Sequence, residues 1–240
     1  MAPKIGLPAH GQVYHFHPVG LLEYFSVESD DNYLKWLKVP YGQLTFDVEG
    51  NDIEDSSKAG HRYFSRVVHW PGGASGVTIG RGYDFGQRPT PDTDLSAACI
   101  EEPLRSWLIG AKGLSGQAAR DYLNAAPENI REKTITRKQP YLIFKSVYKA
   151  MEAEVLRISN QNYNIATYGQ VDWSRLSQKI RDIAVDLCFR GDYIPATRQK
   201  VQKPIADNNM HSLKNVLSIR ENWHGVPQDR FEKRKNYLGS

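Results

Sequence analysis

One stretch limits what this chain can become: Gly76-Val77-Thr78-Ile79-Gly80-Arg81-Gly82-Tyr83-Asp84-Phe85-Gly86. Arg66-Val67-Val68-His69-Trp70 precedes it, followed by Pro71-Gly72-Gly73-Ala74-Ser75. Two apolar, β-branched runs around a Pro/Gly/Ser cluster predict a β-hairpin. In its second arm Val77 and Ile79 share one face and Thr78 takes the other. Gly80, Gly82 and Gly86 permit positive φ or a close approach by another part of the chain. A hydroxyl and, six residues on, a carboxylate then sit in a glycine-rich exit from a strand, which is how a site is built.

Two plainer readings compete. Gly-x-Gly after a strand suggests a nucleotide-binding turn, but the spacing is Gly-x-Gly-x-x-x-Gly, no Walker lysine follows and no clear helix starts there. The glycines also suit a hairpin in which they are purely structural.

The chain has 240 residues, 40% hydrophobic and 24% charged. That is enough for one large domain, or one domain with an appendage. No apolar run approaches the roughly 20 residues of a membrane span, and Met1 to Gly6 lacks the apolar core of a secretory signal. The expected origin is therefore the cytoplasm, with export, if any, by a route that reads no cleavable signal. A net charge of +4 suits an anionic polymer such as a bacterial wall, and equally suits ordinary scatter in surface charge. No stripe of Lys/Arg interleaved with aromatics stands out, so nucleic acid is not an expected partner. Cys99 and Cys188 cannot make a disulfide framework or a four-cysteine metal site. Neither a metal nor a cofactor is expected.

Along the chain, residues 1–40 read as an appendage. His15 and His17 share a strand face, but no further ligand follows at a recognisable spacing. Leu21–Phe25 and Tyr33–Leu37 suggest short amphipathic helices, the second capped from residues 29–32. Leu44, Phe46 and Val48 alternate with Thr45, Asp47 and Glu49 as in a strand. Asn51 to Gly60 reads as a loop, with Asp52 and Asp55 in solvated turns. Pro89-Thr90-Pro91 breaks the chain, and a helix from Thr93 is expected to run on through Leu108. Further helices follow: from Ser115, from a Thr136 cap to about Leu156, from Trp173 to Cys188, over Pro204–Leu217 and over Gln228–Leu238. The broad apolar face of Leu176, Ile180, Ile183, Ala184 and Leu187 implies burial on most sides. The basic cluster from Arg230 to Lys235 reads as a solvated helix face.

Ser75-Gly76-Val77-Thr78-Ile79-Gly80-x-Gly82-x-Asp84-x-Gly86-Gln87 resembles the hairpin motif of pesticin-type toxins, which belong with the phage T4-type lysozymes. Glu49-Gly50 is similar to the Glu-Gly pair carrying that family's general acid. Ile135-Thr136-Arg137, the run Arg181 to Gly191, and Trp223, Pro227, Arg230 and Arg234 resemble later segments of the phage enzymes, in the same order. The resemblance implies an α+β, lysozyme-like fold: a small β-hairpin lobe (41–88), a larger helical lobe (89–240) and a cleft between them. It also implies that Glu49 ends a helix instead of lying in a strand. Glu49 and Thr78 are 29 residues apart, longer than in the phage enzymes, with an insertion around 51–65.

The implied activity is hydrolysis of the β-1,4 bond between N-acetylmuramic acid and N-acetylglucosamine in peptidoglycan. Glu49 is then the general acid, Asp84 the second carboxylate and Thr78 the holder of the attacking water. Asp55 competes with Asp84 for its role, because T4-type enzymes often place that carboxylate before the threonine. The implied partners are glycan strands and an immunity protein filling the cleft, as for an antibacterial toxin delivered by a secretion machine into the periplasm. A phage endolysin, a wall-binding module that does not cut, and a chitin- or chitosan-cleaving enzyme are the alternatives.

Overall fold

The computed structural model describes residues 30–239. The His15/His17 pair and the Leu21–Phe25 helix lie outside the described residues. Asp30–Asn32 and Leu34–Leu37 form single 3-10 turns. They are tied to the start of a long helix by the Lys138–Asp31 ion pair (2.8 Å), the Arg137 guanidinium on the Asn32 carbonyl (2.6 Å) and an edge contact of Trp36 on Tyr141.

Gln43–Val48 is α1, with Glu49 as its C-cap. The strand alternation of this segment is misleading, because Leu44, Thr45 and Phe46 are all buried in succession. That burial suits a short helix wedged into the protein. Gly42, at φ 72°, turns the chain into it.

Backbone pairing then leads to the hairpin. Asn51 N–H donates to the Tyr63 carbonyl and Ser65 N–H to the Asn51 carbonyl; Gly80 N–H donates to the Ser65 carbonyl. β1 is Thr78–Ile79 and β2 is Tyr83–Asp84, antiparallel, with Thr78 opposite Asp84 and Ile79 opposite Tyr83. The hairpin thus closes around Gly80-Arg81-Gly82, whose glycines take φ 63° and 71°. The arm expected from residues 66–70 contributes one antiparallel bridge, His69 to Thr78.

The remaining elements are helical: α2 Pro91–Ala97, α3 Leu104–Gly110, α4 Gly116–Asn124, α5 Glu128–Arg131, α6 Lys138–Ser159 and α7 Asn162–Tyr168. After a 3-10 turn at Trp173–Arg175 come α8 Gln178–Phe189, α9 Pro195–Ala206, α10 Met210–Ser218 and, past a 3-10 turn at Arg220–Trp223, α11 Gln228–Tyr237. The described chain is therefore α+β, mostly helical with one small antiparallel sheet.

Four boundaries differ from expectation. The helix from Thr93 stops at Ala97 and restarts at Leu104, because Cys99 is left-handed (φ 54°) and Pro103 offers no N–H. Thr136 does not cap α6; its own N–H is taken by the Gln139 side chain (2.8 Å), and its hydroxyl is buried without a partner. Trp173 starts only a 3-10 turn, and the helix begins after Ser177, whose hydroxyl accepts from Ile180 N–H. Pro204 lies inside α9, and the chain breaks afterwards at left-handed Asn208.

The apolar interior falls into two large clusters and a small one. Val77, Ile79, Tyr83 and Phe85 pack with Leu95, Leu104, Leu108 and the Ile143 side of α6. Ile180, Ile183 and Leu187 of α8 pack with residues of α9, α10 and α11 and with Trp223. Phe46, Phe144, Tyr148 and Val185 join α1, α6 and α8 between them. Among the described residues no helix is long and apolar enough to cross a membrane.

Candidate active site

Two aspartates on α8, one turn apart and both buried, position α1. Asp182 accepts from Gly42 N–H (3.1 Å), Tyr148 hydroxyl (2.5 Å) and Tyr237 hydroxyl (2.5 Å). Asp186 accepts from Thr45 hydroxyl (3.0 Å). Buried carboxylates of this kind persist only when hydrogen-bonded and neutralised. The neutralising charge comes from α11: Arg230 reaches Asp186 at 2.6 Å and Arg234 reaches it at 2.6 Å. Arg230 and Arg234 are therefore core residues, which corrects their reading as a solvated face. The signal was present, since a spacing of four puts both on the face that also buries Phe231.

Arg230 also holds Glu49, Nη1 to Oε1 at 2.5 Å. One guanidinium thus bridges two carboxylates whose surroundings differ. Burial would raise Asp186, but Arg234 and Arg230 together outweigh it and hold the group below its usual value of 3.8. Glu49 is pushed above its usual 4.5, first by burial and further by the Asp186 charge, against the pull of Arg230 and Arg190. Its side chain keeps 18% exposure.

The hairpin comes to Glu49 through Gly82. A Cβ at Gly82 would stand 2.7 Å from Glu49 Oε2 and 3.1 Å from a ring carbon of Phe189. Glycine is required there twice over, by this contact and by φ 71°. Between Gly80 and Gly82, Arg81 turns inward and ties the hairpin to the end of α1. Its guanidinium donates to the carbonyls of Phe46 (3.2 Å) and Gly50 and lies 4.2 Å from the Phe46 ring centroid. Burial lowers this arginine to about 10.

On the hairpin itself Thr78 and Asp84 are direct cross-strand partners. They occupy the face opposite Val77, Ile79, Tyr83 and Phe85, which are wholly buried. Thr78 hydroxyl donates to the Gly76 carbonyl (3.2 Å), and the residue is 2% exposed. Asp84 accepts from Gly76 N–H (3.0 Å) and Gly86 N–H (2.8 Å), and a Cβ at Gly76 would collide with that carboxylate at 2.3 Å. Thr78 and Asp84 are thus brought together, and Glu49 touches the turn that joins their strands.

The acidic loop behaves differently. Asp55 is exposed and accepts from both the N–H and the hydroxyl of Ser57. Asp52 is no solvated turn residue: it is largely buried between Arg66 (2.7 Å) and Arg137 (2.6 Å). Both cysteines are free, and burial raises Cys188 to about 11. A cavity of about 530 Å³ lies away from these groups, between residues 98–104 and 129–142. A second, of about 400 Å³, is lined by Gly50, Asp52 and Arg81. Among the described residues no group of His, Cys, Asp and Glu is arranged to hold a metal.

No curated protein matches the chain. One family model does, a domain of unknown function (DUF8812), over residues 42–235, which takes in α1, the hairpin and nearly all of α11. The chain belongs to the DUF8812 family.

Proposed function

We propose that this chain is a peptidoglycan hydrolase of the muramidase type, with a lysozyme-like division into a hairpin lobe and a helical lobe. The observation that carries the reading is the pair of carboxylates on Arg230. One is held ionised in the interior; the other is raised by burial, partly exposed, and pressed against the hairpin. Carboxyl groups driven apart in this way mark an acid and its electrostatic partner.

Glycoside cleavage needs a proton on the leaving oxygen and a carboxylate that activates water or stabilises the cationic transition state. Glu49 is the proton donor in this reading. Arg230 orients it, and burial favours its protonated form. Asp84 is the second carboxylate, fixed in place by the two backbone N–H groups that donate to it. Thr78, opposite it, holds the attacking water; its hydroxyl donates to Gly76 and retains lone pairs for a water proton. Asp55 is the weaker candidate, because Ser57 already occupies it in an exposed turn.

The biological setting follows from the same reading: a wall-degrading toxin acting in the periplasm of a target cell, blocked in the producer by an immunity protein. The test is mass spectrometry of muropeptides released from purified sacculi by the full chain and by Glu49→Gln. Fragments ending in reducing N-acetylmuramic acid are expected from the parent, and a rate roughly 10²–10⁴-fold lower from the variant. Equal rates would overturn the acid assignment; no release by either would leave a glycan-binding module as the better reading.

A further inference from the structure

Arg88, just past the hairpin, has a guanidinium that no carboxylate among the described residues pairs with directly. It makes no side-chain hydrogen bond or ion pair among the described residues, and its Nε is buried without a partner. Two aromatic rings lie close to it: the Tyr83 ring at 5.3 Å and the Phe189 ring at 5.9 Å from centroid to Cζ. Phe189 is the same ring that abuts Gly82 beside the Glu49 carboxylate. Arg88 therefore stands at the edge of the candidate site.

Carboxylates are near, and each is already engaged. Glu49 is taken by Arg230 and Asp84 by the N–H groups of Gly76 and Gly86. Asp94 accepts from Tyr83 hydroxyl (2.6 Å) and Ser146 hydroxyl (2.5 Å). The charge of Arg88 is felt by Asp84, Asp94 and Glu49, yet none of the three bonds to it. A buried guanidinium nitrogen without an acceptor is costly and calls for an explanation. The planar fork of arginine, close to two aromatic rings, is suited to taking a carboxylate in bidentate fashion.

We infer that Arg88 is a substrate-binding residue that receives a carboxylate of an anionic glycan beside the bond to be cut. This deepens the proposed reading by assigning the substrate a charge: the chain would select wall glycan over neutral chitin. Two carboxylates of wall glycan offer the same chemistry, one on the peptide stem and one on the lactyl ether, free once the stem is removed.

The test is isothermal titration of the full chain carrying Glu49→Gln, which stops turnover, with three probes. These are stem-bearing glycan chains, chains stripped of their stems by an amidase, and chitohexaose. The titrations are repeated with Arg88→Gln and with Arg88→Lys, each checked for native folding by circular dichroism. Loss of a charge-assisted bidentate contact predicts roughly 10–100-fold weaker binding of the preferred anionic probe by Arg88→Gln. Chitohexaose binding is expected to be unchanged and Arg88→Lys intermediate. Preference for the first probe names the stem carboxylate, and preference for the second the lactyl carboxylate. Equal affinity for all three probes, no binding of any, or a preference that survives Arg88→Gln would overturn the inference. If the preference depends on Arg88 but the parent releases no muropeptides, the muramidase reading fails and the site stands.

Discussion

The hairpin and the α8–α11 interior both fix carboxylates, by opposite means. Around Asp84 the chain removes side chains: Gly76 and Gly86 let two backbone N–H groups close on the carboxylate, and a Cβ at either would intrude. Around Asp186 it adds them, with two arginines and a threonine hydroxyl brought to one fully buried group. The first arrangement leaves a half-exposed charge on a surface. The second stores a net of charges where solvent cannot compensate for a lost member. Glu49 lies between the two, bonded to the arginine of one and touching the glycine turn of the other. The contrast separates a region built for rigidity from one built for access.

The largest break in that contrast should come from Asp186→Asn. Removing the anion leaves Arg230 with Glu49 and Arg234 with Asp192 as their remaining carboxylates, and loss of one member of a buried pair costs about 3–5 kcal/mol. Urea unfolding monitored by tryptophan fluorescence should show it as a lower midpoint. Next is Gly82→Ala, which forces a side chain into a left-handed conformation at about 1–2 kcal/mol and displaces the Glu49 carboxylate. Its unfolding midpoint should fall, and wall hydrolysis should fall further than the stability loss explains. Asp84→Asn keeps an acceptor but loses its charge, so about 1 kcal/mol or less is expected in the same assay.

The pH dependence sharpens the comparison most finely. Asp186 is lowered in the fold, so its contribution is present above its usual value of 3.8 and is lost as pH falls through its folded value. Glu49 is raised, so its contribution is full below its usual 4.5 and is lost as pH rises through its folded value. Urea midpoints across pH should therefore lose their decline above pH 4.5 in Glu49→Gln, while their acid decline stays as in the parent.

The two regions were unequally legible in the sequence. The alternation of Val77 and Ile79 against Thr78 is a local, period-two signal, and it separated the two faces of the strand, although Thr78 is buried as well. Its turn was read in part: the chain around Pro71–Ser75 closes on a single antiparallel bridge, His69 to Thr78, while the paired strands turn at Gly80-Arg81-Gly82. Apolar periodicity marked α8 as buried on most sides, with Asp182 and Asp186 inside it. The charge network was legible only in part: the spacing of four sets Arg230 and Arg234 on the face of Phe231, but nothing local names Asp186 as their partner. Arg81 was hidden for a similar reason: between two glycines it resembles a turn residue, and only the carbonyls of Phe46 and Gly50 show its task.

The central claim is that one arginine joins two carboxyl groups shifted in opposite directions, with Glu49 the one raised above its usual value and Asp186 the one lowered. Its most direct test is carboxyl-carbon NMR titration of selectively labelled glutamate in the full chain, with Glu49 assigned by its loss in Glu49→Gln. The account predicts a Glu49 midpoint clearly above the usual 4.5, moving when Asp186 is replaced by asparagine. A midpoint at or below that value would contradict it.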